Sequence, residues 1–272
     1  MLKGHSGCII NIVDDKVIKT AKSDKYSIDR LQAQKQKQER FKQLSLPKGI
    51  YTPAVLGDTY SMEMEYCPSL NILQFLVYAS KEQVDLLCGS LKLLVFELSS
   101  LVVPIQDVYP QIKQKYLDIC GKCDLSGVAD IFYKLLPGSR TVPDVIEVPV
   151  GICHGDLTLS NVLIDTLHQR IVLVDFLDSF IESPLIDIVK LRQDTKHYWT
   201  CFLNQNEYDQ TRIKTMLDYM DKNLDDYFKE AFPYYNKFYT LFQYINLLRI
   251  LPYSQDQKTT DYLKEQIKCL PH

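Results

Sequence analysis

The chain of 272 residues carries one Trp, only ten Gly and no long apolar run. The most apolar stretch is broken by Lys92 and Glu97, so no membrane span is expected. No signal peptide is expected either, because Met1-Leu2-Lys3-Gly4-His5 leads straight into glycine and polar residues. The eight Cys are scattered, mostly in apolar settings that suit reduced, buried thiols. Cys120 and Cys123 form one CxxC without a second pair or a His pair, which argues against a zinc knuckle. These absences point to a soluble protein of a reducing, cytoplasmic compartment. There is no internal repeat and no low-complexity segment beyond the Gln/Lys stretch at 32–38. Net charge is only −3, so nothing overall argues for nucleic acid. Residues 1–50 carry eleven Lys/Arg against five Asp/Glu, an excess read as a solvated helix face.

What is present suits a globular chain with one sizeable core or two modest ones, at 46% hydrophobic and 24% charged. Residues 8–13 and 16–20 read as two strands joined by an Asp14-Asp15 turn. Residues 28–44 form a mostly polar helix with Ile28, Leu31, Phe41 and Leu44 as its apolar anchors. Residues 59–66 alternate like another strand, and Cys67-Pro68-Ser69 breaks the chain. Beyond Leu70 the rhythm is helical, with Val84, Leu87, Cys88, Leu91, Leu94, Val95 and Leu98 on one stripe. Further helices are expected up to about residue 118 and over 126–136, 213–228, 238–251 and 262–270, with a loop over 140–149. The fold class is therefore α+β, with a small β-rich N-terminal lobe over 1–66, a connector at 67–69 and a larger, mainly helical lobe over 70–272.

The chemistry concentrates in His154-Gly155-Asp156, Asn161 and the apolar strand closed by Asp175-Phe176. An Asp, an Asn five residues later and a second Asp after a strand match the acidic equipment of a phosphotransferase. Asp156 can orient and deprotonate a hydroxyl, while Asn161 and Asp175 offer hard oxygens to Mg²⁺ beside the phosphates of ATP. A hairpin through 162–174 would fold Asp175 back beside Asn161. Asp178 is equally a metal or substrate ligand or a plain loop carboxylate. Lys3-Gly4-His5-Ser6-Gly7 can form a small anion nest, with Gly4 and Gly7 exposing backbone N–H groups to phosphate, though the same residues suit any turn.

These motifs resemble the aminoglycoside phosphotransferase and choline kinase-like family, whose members share a bilobal protein-kinase-like fold and phosphorylate small molecules. The resemblance implies that His154 supports the catalytic loop, Asp187 braces it, and Lys19 grips the nucleotide phosphates. Glu39, the only acid of its helix after Asp29, is implied as the ion-pair partner of Lys19. Backbone groups of Glu65 and Cys67 are implied as adenine contacts. The chain also departs from the pattern. It has no GxGxxG, and almost no sequence precedes the glycine loop to supply a strand. Compared with protein kinases, Gly155 replaces an Arg, Leu177 replaces a Gly, and no Ala-Pro-Glu comes after them.

The expected activity is ATP- and Mg²⁺-dependent phosphorylation of a hydroxyl on a sugar, an amino sugar or a choline-like alcohol. By family analogy it would serve cell-surface polysaccharide or lipid precursor synthesis. An aminoglycoside-modifying enzyme, a protein kinase and a nucleotide-binding pseudokinase are the alternatives. Trp199, Tyr234, Tyr235, Tyr239 and Tyr244 either line an acceptor pocket or fill the core. Acceptor-facing acids would come from Asp194, Asp218, Asp221, Asp225 and Asp226. The expected partner is a small molecule, with no nucleic acid and no membrane span; the oligomeric state is left open.

Overall fold

A computed structural model describes residues 2–3, 8–101, 104–138, 145–205 and 207–271. Its first sheet is built from β1 (Leu2–Lys3), β2 (Ile9–Val13), β3 (Lys16–Thr20), β5 (Val55–Leu56) and β6 (Ser61–Glu65). They run in the order β1-β2-β3-β6-β5, and every pair is antiparallel. Asp14 and Asp15 both take left-handed backbone at φ 47 and 59, as a tight hairpin between β2 and β3 requires. Leu2–Lys3 corrects one expectation, since a strand does precede the glycine segment and pairs with Ile9 and Ile10. Two residues are too few to carry an alternating pattern.

Helix α1 (Lys25–Lys42) begins where the Asp24 carboxylate accepts the Ser27 N–H, a side-chain cap worth about 1 kcal/mol. It packs on the sheet through Leu31, which joins Cys8, Val55, Met62 and Met64 in a small core. Phe41, near the end of α1, belongs instead to the large core of the helical part. The helix thus touches both apolar cores, which makes it a mechanical link between sheet and helices.

After the connector, Leu70 exchanges both backbone hydrogen bonds with Ile164, anchoring the chain beside the catalytic hairpin. Helices α2 (Ile72–Tyr78) and α3 (Lys81–Ser100) each start with a capping box, Asn71 with Gln74 and Ser80 with Gln83. Next come β7 (Ile105–Asp107), α4 (Tyr109–Cys120), α5 (Ile131–Leu135) and β8 (Glu147–Pro149). β8 corrects the loop expected there, since it pairs antiparallel with β7. A second sheet joins β4 (Ile50–Tyr51), β10 (Arg170–Leu173) and β9 (Val162–Asp165), with β4 parallel to β10. The remaining helices are α6 (Pro184–Thr195), α7 (Trp199–Leu203), α8 (Gln210–Ala231), α9 (Pro233–Leu248) and α10 (Gln257–Lys268). α6 lies at the centre of the helical lobe, with all twelve of its residues buried. Among the described residues, no helix is long and apolar enough to cross a membrane.

Candidate active site

The loop 154–161 is held from beneath by two buried carboxylates. Asp187, on the first turn of α6, accepts the N–H groups of His154 and Gly155 at 2.7 and 2.8 Å. Asp194, two turns later, accepts the Leu159 N–H at 2.6 Å. Burial pushes both acids up, to about 7 for Asp187 and about 6 for Asp194, although the N–H donors pull the other way. Asp187 thus has the bracing geometry that the resemblance implied. Asp194, held within the fold, does not face an acceptor.

His154 is fully buried, stacked on Phe176 with centroids 4.1 Å apart, and Phe176 packs on Phe41 of α1. Burial lowers its pKa to about 4, so the ring is neutral at physiological pH. Its Nε2 lies 3.0 Å from the Val174 carbonyl, and its Nδ1 accepts the Asp156 N–H at 3.3 Å. This places the ring proton on Nε2. The imidazole spans the two strands of chemistry, the Asp156 loop and the segment leading to Asp175, and is left without a proton-transfer task.

Asp156 is the best-connected group of the loop. Its Oδ2 accepts the Asn161 side-chain N–H at 3.2 Å, while its backbone carbonyl accepts from the same amide at 2.8 Å. Its Oδ1 forms an ion pair with Lys190 Nζ of α6 at 2.9 Å. Desolvation pushes the carboxyl up, but Lys190 and then Arg249 outweigh it and hold the pKa below the ordinary value. Its side chain is still 28% exposed, so a hydroxyl can reach it.

Because the amide nitrogen of Asn161 is turned to Asp156, the amide oxygen is left for another partner. The Asn161 carbonyl accepts the Val174 N–H at 3.1 Å, and the hairpin register sets Leu173 opposite Val162. Asp175 is thereby returned to the neighbourhood of Asn161, as the hairpin reading expected. Its backbone is left-handed, at φ 64, an arrangement that costs a non-glycine residue about 1 kcal/mol and clusters at functional sites. One carboxylate oxygen of Asp175 pairs closely with Lys19, which is buried on β3, while Lys16 lies exposed beside Glu63. Lys19 therefore reaches from the sheet to the second acid of the motif. Asn161 and Asp175 retain one hard oxygen each, a donor set that fits Mg²⁺ supplemented by phosphate and water. Among the described residues, no group of three or more His, Cys, Asp or Glu side chains is disposed to hold a metal unaided.

Other expectations fare differently. Glu39 is exposed and forms no ion pair among the described residues, so it is not the partner of Lys19. α1 turns Gln34, Lys37, Gln38 and Phe41 inward, and Glu39 falls off that stripe. Lys37 of α1 crosses to the helical lobe, donating to Leu177 O at 2.7 Å and to both Glu182 oxygens at 2.9 and 2.7 Å. Gly4 and Gly7 lie outside the described residues. Asp178 is exposed. The Lys16–Glu65 pair is flanked by the Tyr66 N–H to Asp15 O bond, so the backbone N–H and C=O of Glu65 point away from β3. Its carboxylate accepts from Tyr51 Oη and lies 3.5 Å from Cys67 Sγ. The Cys67 carbonyl accepts from Ser69 Oγ at 2.6 Å.

The aromatic residues form core rather than a cage. Tyr235 and Tyr244 are fully buried, Tyr244 donates to Val128 O at 2.9 Å, and Tyr234 meets Ser99 Oγ at 3.0 Å. Tyr235 and Tyr239 do meet a cation, but it is the protein's own Arg192, which donates to Tyr235 Oη, stacks on Tyr239 at 4.6 Å and pairs with Asp221 and Asp225. Asp218 accepts from Tyr198 Oη. Of the five acids considered for the acceptor, four are thus engaged within the fold.

Residues 124–214 match the sequence model of the phosphotransferase enzyme family, APH. No curated protein matches the chain. Among solved structures, APH(2")-IIa in its streptomycin–ATP complex superimposes with a TM-score of 0.61 at 14% identity, over 98% of this chain and 89% of that one. The GDP complex of aminoglycoside 2'-phosphotransferase-IIIa gives 0.60 at 16% identity, over 98% and 91%. A glucosamine kinase bound to glucosamine, ADP and phosphate gives 0.60 at 11% identity, over 96% and 78%. The kinase-like α+β fold and the resemblance to this family are borne out.

Proposed function

We propose that this chain of kinase-like fold transfers the γ-phosphoryl group of ATP, with Mg²⁺, to the hydroxyl of a small molecule such as a sugar derivative. The observation that carries the reading is the linkage of Asp156, Asn161, Asp175 and Lys19 through one short network. Asn161 locks both the backbone and the carboxylate of Asp156, its carbonyl holds the N–H of Val174 next to Asp175, and Lys19 reaches Asp175 from the sheet. Asn161 and Asp175 would hold Mg²⁺, which would neutralise phosphate charge when bound.

In this reading the acceptor hydroxyl lies against the exposed edge of Asp156. Its oxygen attacks the γ-phosphorus as the bond from that phosphorus to the β,γ-bridging oxygen breaks, and ADP departs. The hydroxyl proton passes to the Asp156 carboxylate and from there to solvent. A carboxylate held ionised by Lys190 is a weak base, which suffices because a loose transition state places little demand on the nucleophile. Positioning is the larger contribution, and Asp187, Asp194 and His154 supply it by fixing the loop. Lys19 would move from Asp175 to the nucleotide phosphates as a mobile point charge.

Related folds support a sugar-like acceptor, since the solved neighbours carry aminoglycosides or glucosamine. A choline-like acceptor finds no aromatic cage among Trp199, Tyr234, Tyr235, Tyr239 and Tyr244. A role in cell-surface polysaccharide or lipid precursor synthesis is compatible with a sugar-derived acceptor. The test is an ADP-release screen across sugars, sugar phosphates, amino sugars and small alcohols, with Asp156→Ala as control. Mg²⁺-dependent release with at least one acceptor, absent in the control, is expected. Turnover that survives Asp156→Ala would remove the proposed role of that carboxylate.

A further inference from the structure

We infer that the acceptor carries an anionic group, a phosphate or a carboxylate, held beside Asp156 by basic side chains from both lobes. This deepens the proposed phosphotransfer reading and rests on it. Lys190, buried on α6, sits 2.9 Å from Asp156 Oδ1. Arg249 comes directly after the end of α9, lies within electrostatic reach of Asp156 and Lys190, and has no hydrogen bond or ion pair on its guanidinium among the described residues. Arg30 of α1 lies within electrostatic reach of Arg249; one of its terminal nitrogens donates to Tyr26 Oη at 3.5 Å, and its buried Nε has no hydrogen-bond partner among the described residues. Lys115 of α4 lies over the Phe180 ring at 5.9 Å and also feels Arg249.

Lys190 and Arg249 thus act on Asp156 directly, and Arg30 and Lys115, from two further elements, join the group through Arg249. Two further acids reach the edge of the group, Asp118 beside Lys115 and Asp194 beside Lys190. Asp194 is already occupied by the Leu159 and Thr200 N–H groups. Among the described residues, Asp156 is the one acid at ion-pair distance, and it pairs with Lys190; burial lowers the pKa of Lys115, Lys190 and Arg249, with repulsion from neighbouring cations adding to it. A fold tolerates such a group when a ligand anion completes it. Among the acids that would attract a cationic acceptor, Asp221 and Asp225 neutralise Arg192, and the exposed Asp218 accepts from Tyr198.

The cluster lies on the Asp156 side of the site, whereas the nucleotide side has its own cation, Lys19, at Asp175. This assigns it to the acceptor rather than to the triphosphate. Because Arg30 belongs to the sheet-bearing part and Arg249 to the helical part, an anion between them would also draw the two together as the site fills.

The experiment saturates the full chain with Mg·AMP-PNP, which fills the phosphoryl-donor position, and then titrates inorganic phosphate by calorimetry. Phosphate is expected to bind, at least tenfold more weakly in Arg249→Gln and in Arg30→Gln, with the affinity for Mg·AMP-PNP changed less than twofold. Kinetics on matched pairs, a sugar against its monophosphate, should favour the anionic member at least tenfold in kcat/KM. Arg249→Gln should remove that preference through acceptor KM. Absence of phosphate binding to the Mg·AMP-PNP complex, or binding indifferent to both variants, overturns the inference, as does a preference for neutral or amino sugars. Failure of the protein to bind Mg·AMP-PNP would instead sink the phosphotransfer reading itself.

Discussion

Gly155 offers the sharpest test of how tightly the catalytic loop is built. Its φ is +82, and a Cβ placed there would lie 1.8 Å from Leu177 O and 2.7 Å from Lys37 Nζ. Leu177 cannot simply withdraw, because its N–H donates to His154 O at 3.1 Å and its carbonyl accepts from Lys37. In Gly155→Ala the left-handed backbone costs about 1–2 kcal/mol. Forcing the carbonyl aside adds about 1–3 kcal/mol of overpacking. The sum, roughly 2–5 kcal/mol, is a large part of the stability of an ordinary domain. It should lower Tm by roughly 10 °C, given about 2–4 °C per kcal/mol for a chain approaching this size. Turnover should fall further than the stability loss explains, because the displaced carbonyl sits between Asp156 and the segment carrying Asp175. Thermal denaturation and kcat measured well below Tm separate the two effects. A Gly155→Ala protein with wild-type Tm and kcat would refute the claim that this position has no room for a side chain.

Three further perturbations probe the same geometry. Lys19→Met removes the cation paired with Asp175, and the KM for Mg·ATP should rise at least tenfold in steady-state kinetics with acceptor KM little changed. Asp187→Asn replaces two acceptor oxygens by one, leaving the His154 or Gly155 N–H unpaired at a cost of about 1–3 kcal/mol, measurable by urea unfolding. His154 is neutral in the fold, with a pKa near 4 against 6.5 when unfolded, so its contribution is full above pH 6.5 and lost as pH falls toward 4. That window holds up to about 3 kcal/mol, and His154→Gln should flatten the acid limb of stability against pH; an unchanged limb would mean that this imidazole does not drive it.

Local periodicity made many elements legible in the sequence. The β2–β3 hairpin, α3, α8 and the Asp156–Asp175 spacing could be read because strand alternation, a helical stripe or a short motif marks each. α6 could not, because its polar residues, Asp187, Lys190 and Asp194 among them, are buried along with the apolar ones, so no exposed face marks its phase. With α6 went Lys190 and the bracing role of Asp194, which no motif names. α1 misled in another way. Its inward stripe includes Gln34, Lys37 and Gln38, so apolar spacing could not phase it, and the only acid of its later turns, Glu39, proved to face solvent. Lys190 and Arg249, which act on Asp156, and Arg30 and Lys115, which are linked to it through Arg249, are brought together only by the tertiary fold.

The central claim is that Asp156 and Asp175 have separate duties, one toward the hydroxyl and the other toward the metal-bound nucleotide. Calorimetry of Mg·ATP binding to wild-type, Asp156→Ala and Asp175→Ala proteins, paired with ADP release, tests it most directly. The account predicts that Asp156→Ala binds Mg·ATP within about threefold of wild type yet gives no turnover, by the roles these two carboxylates take in phosphoryl transfer. Asp175→Ala should lose both binding and turnover. Wild-type Mg·ATP affinity in Asp175→Ala, or undiminished turnover in Asp156→Ala, would contradict it.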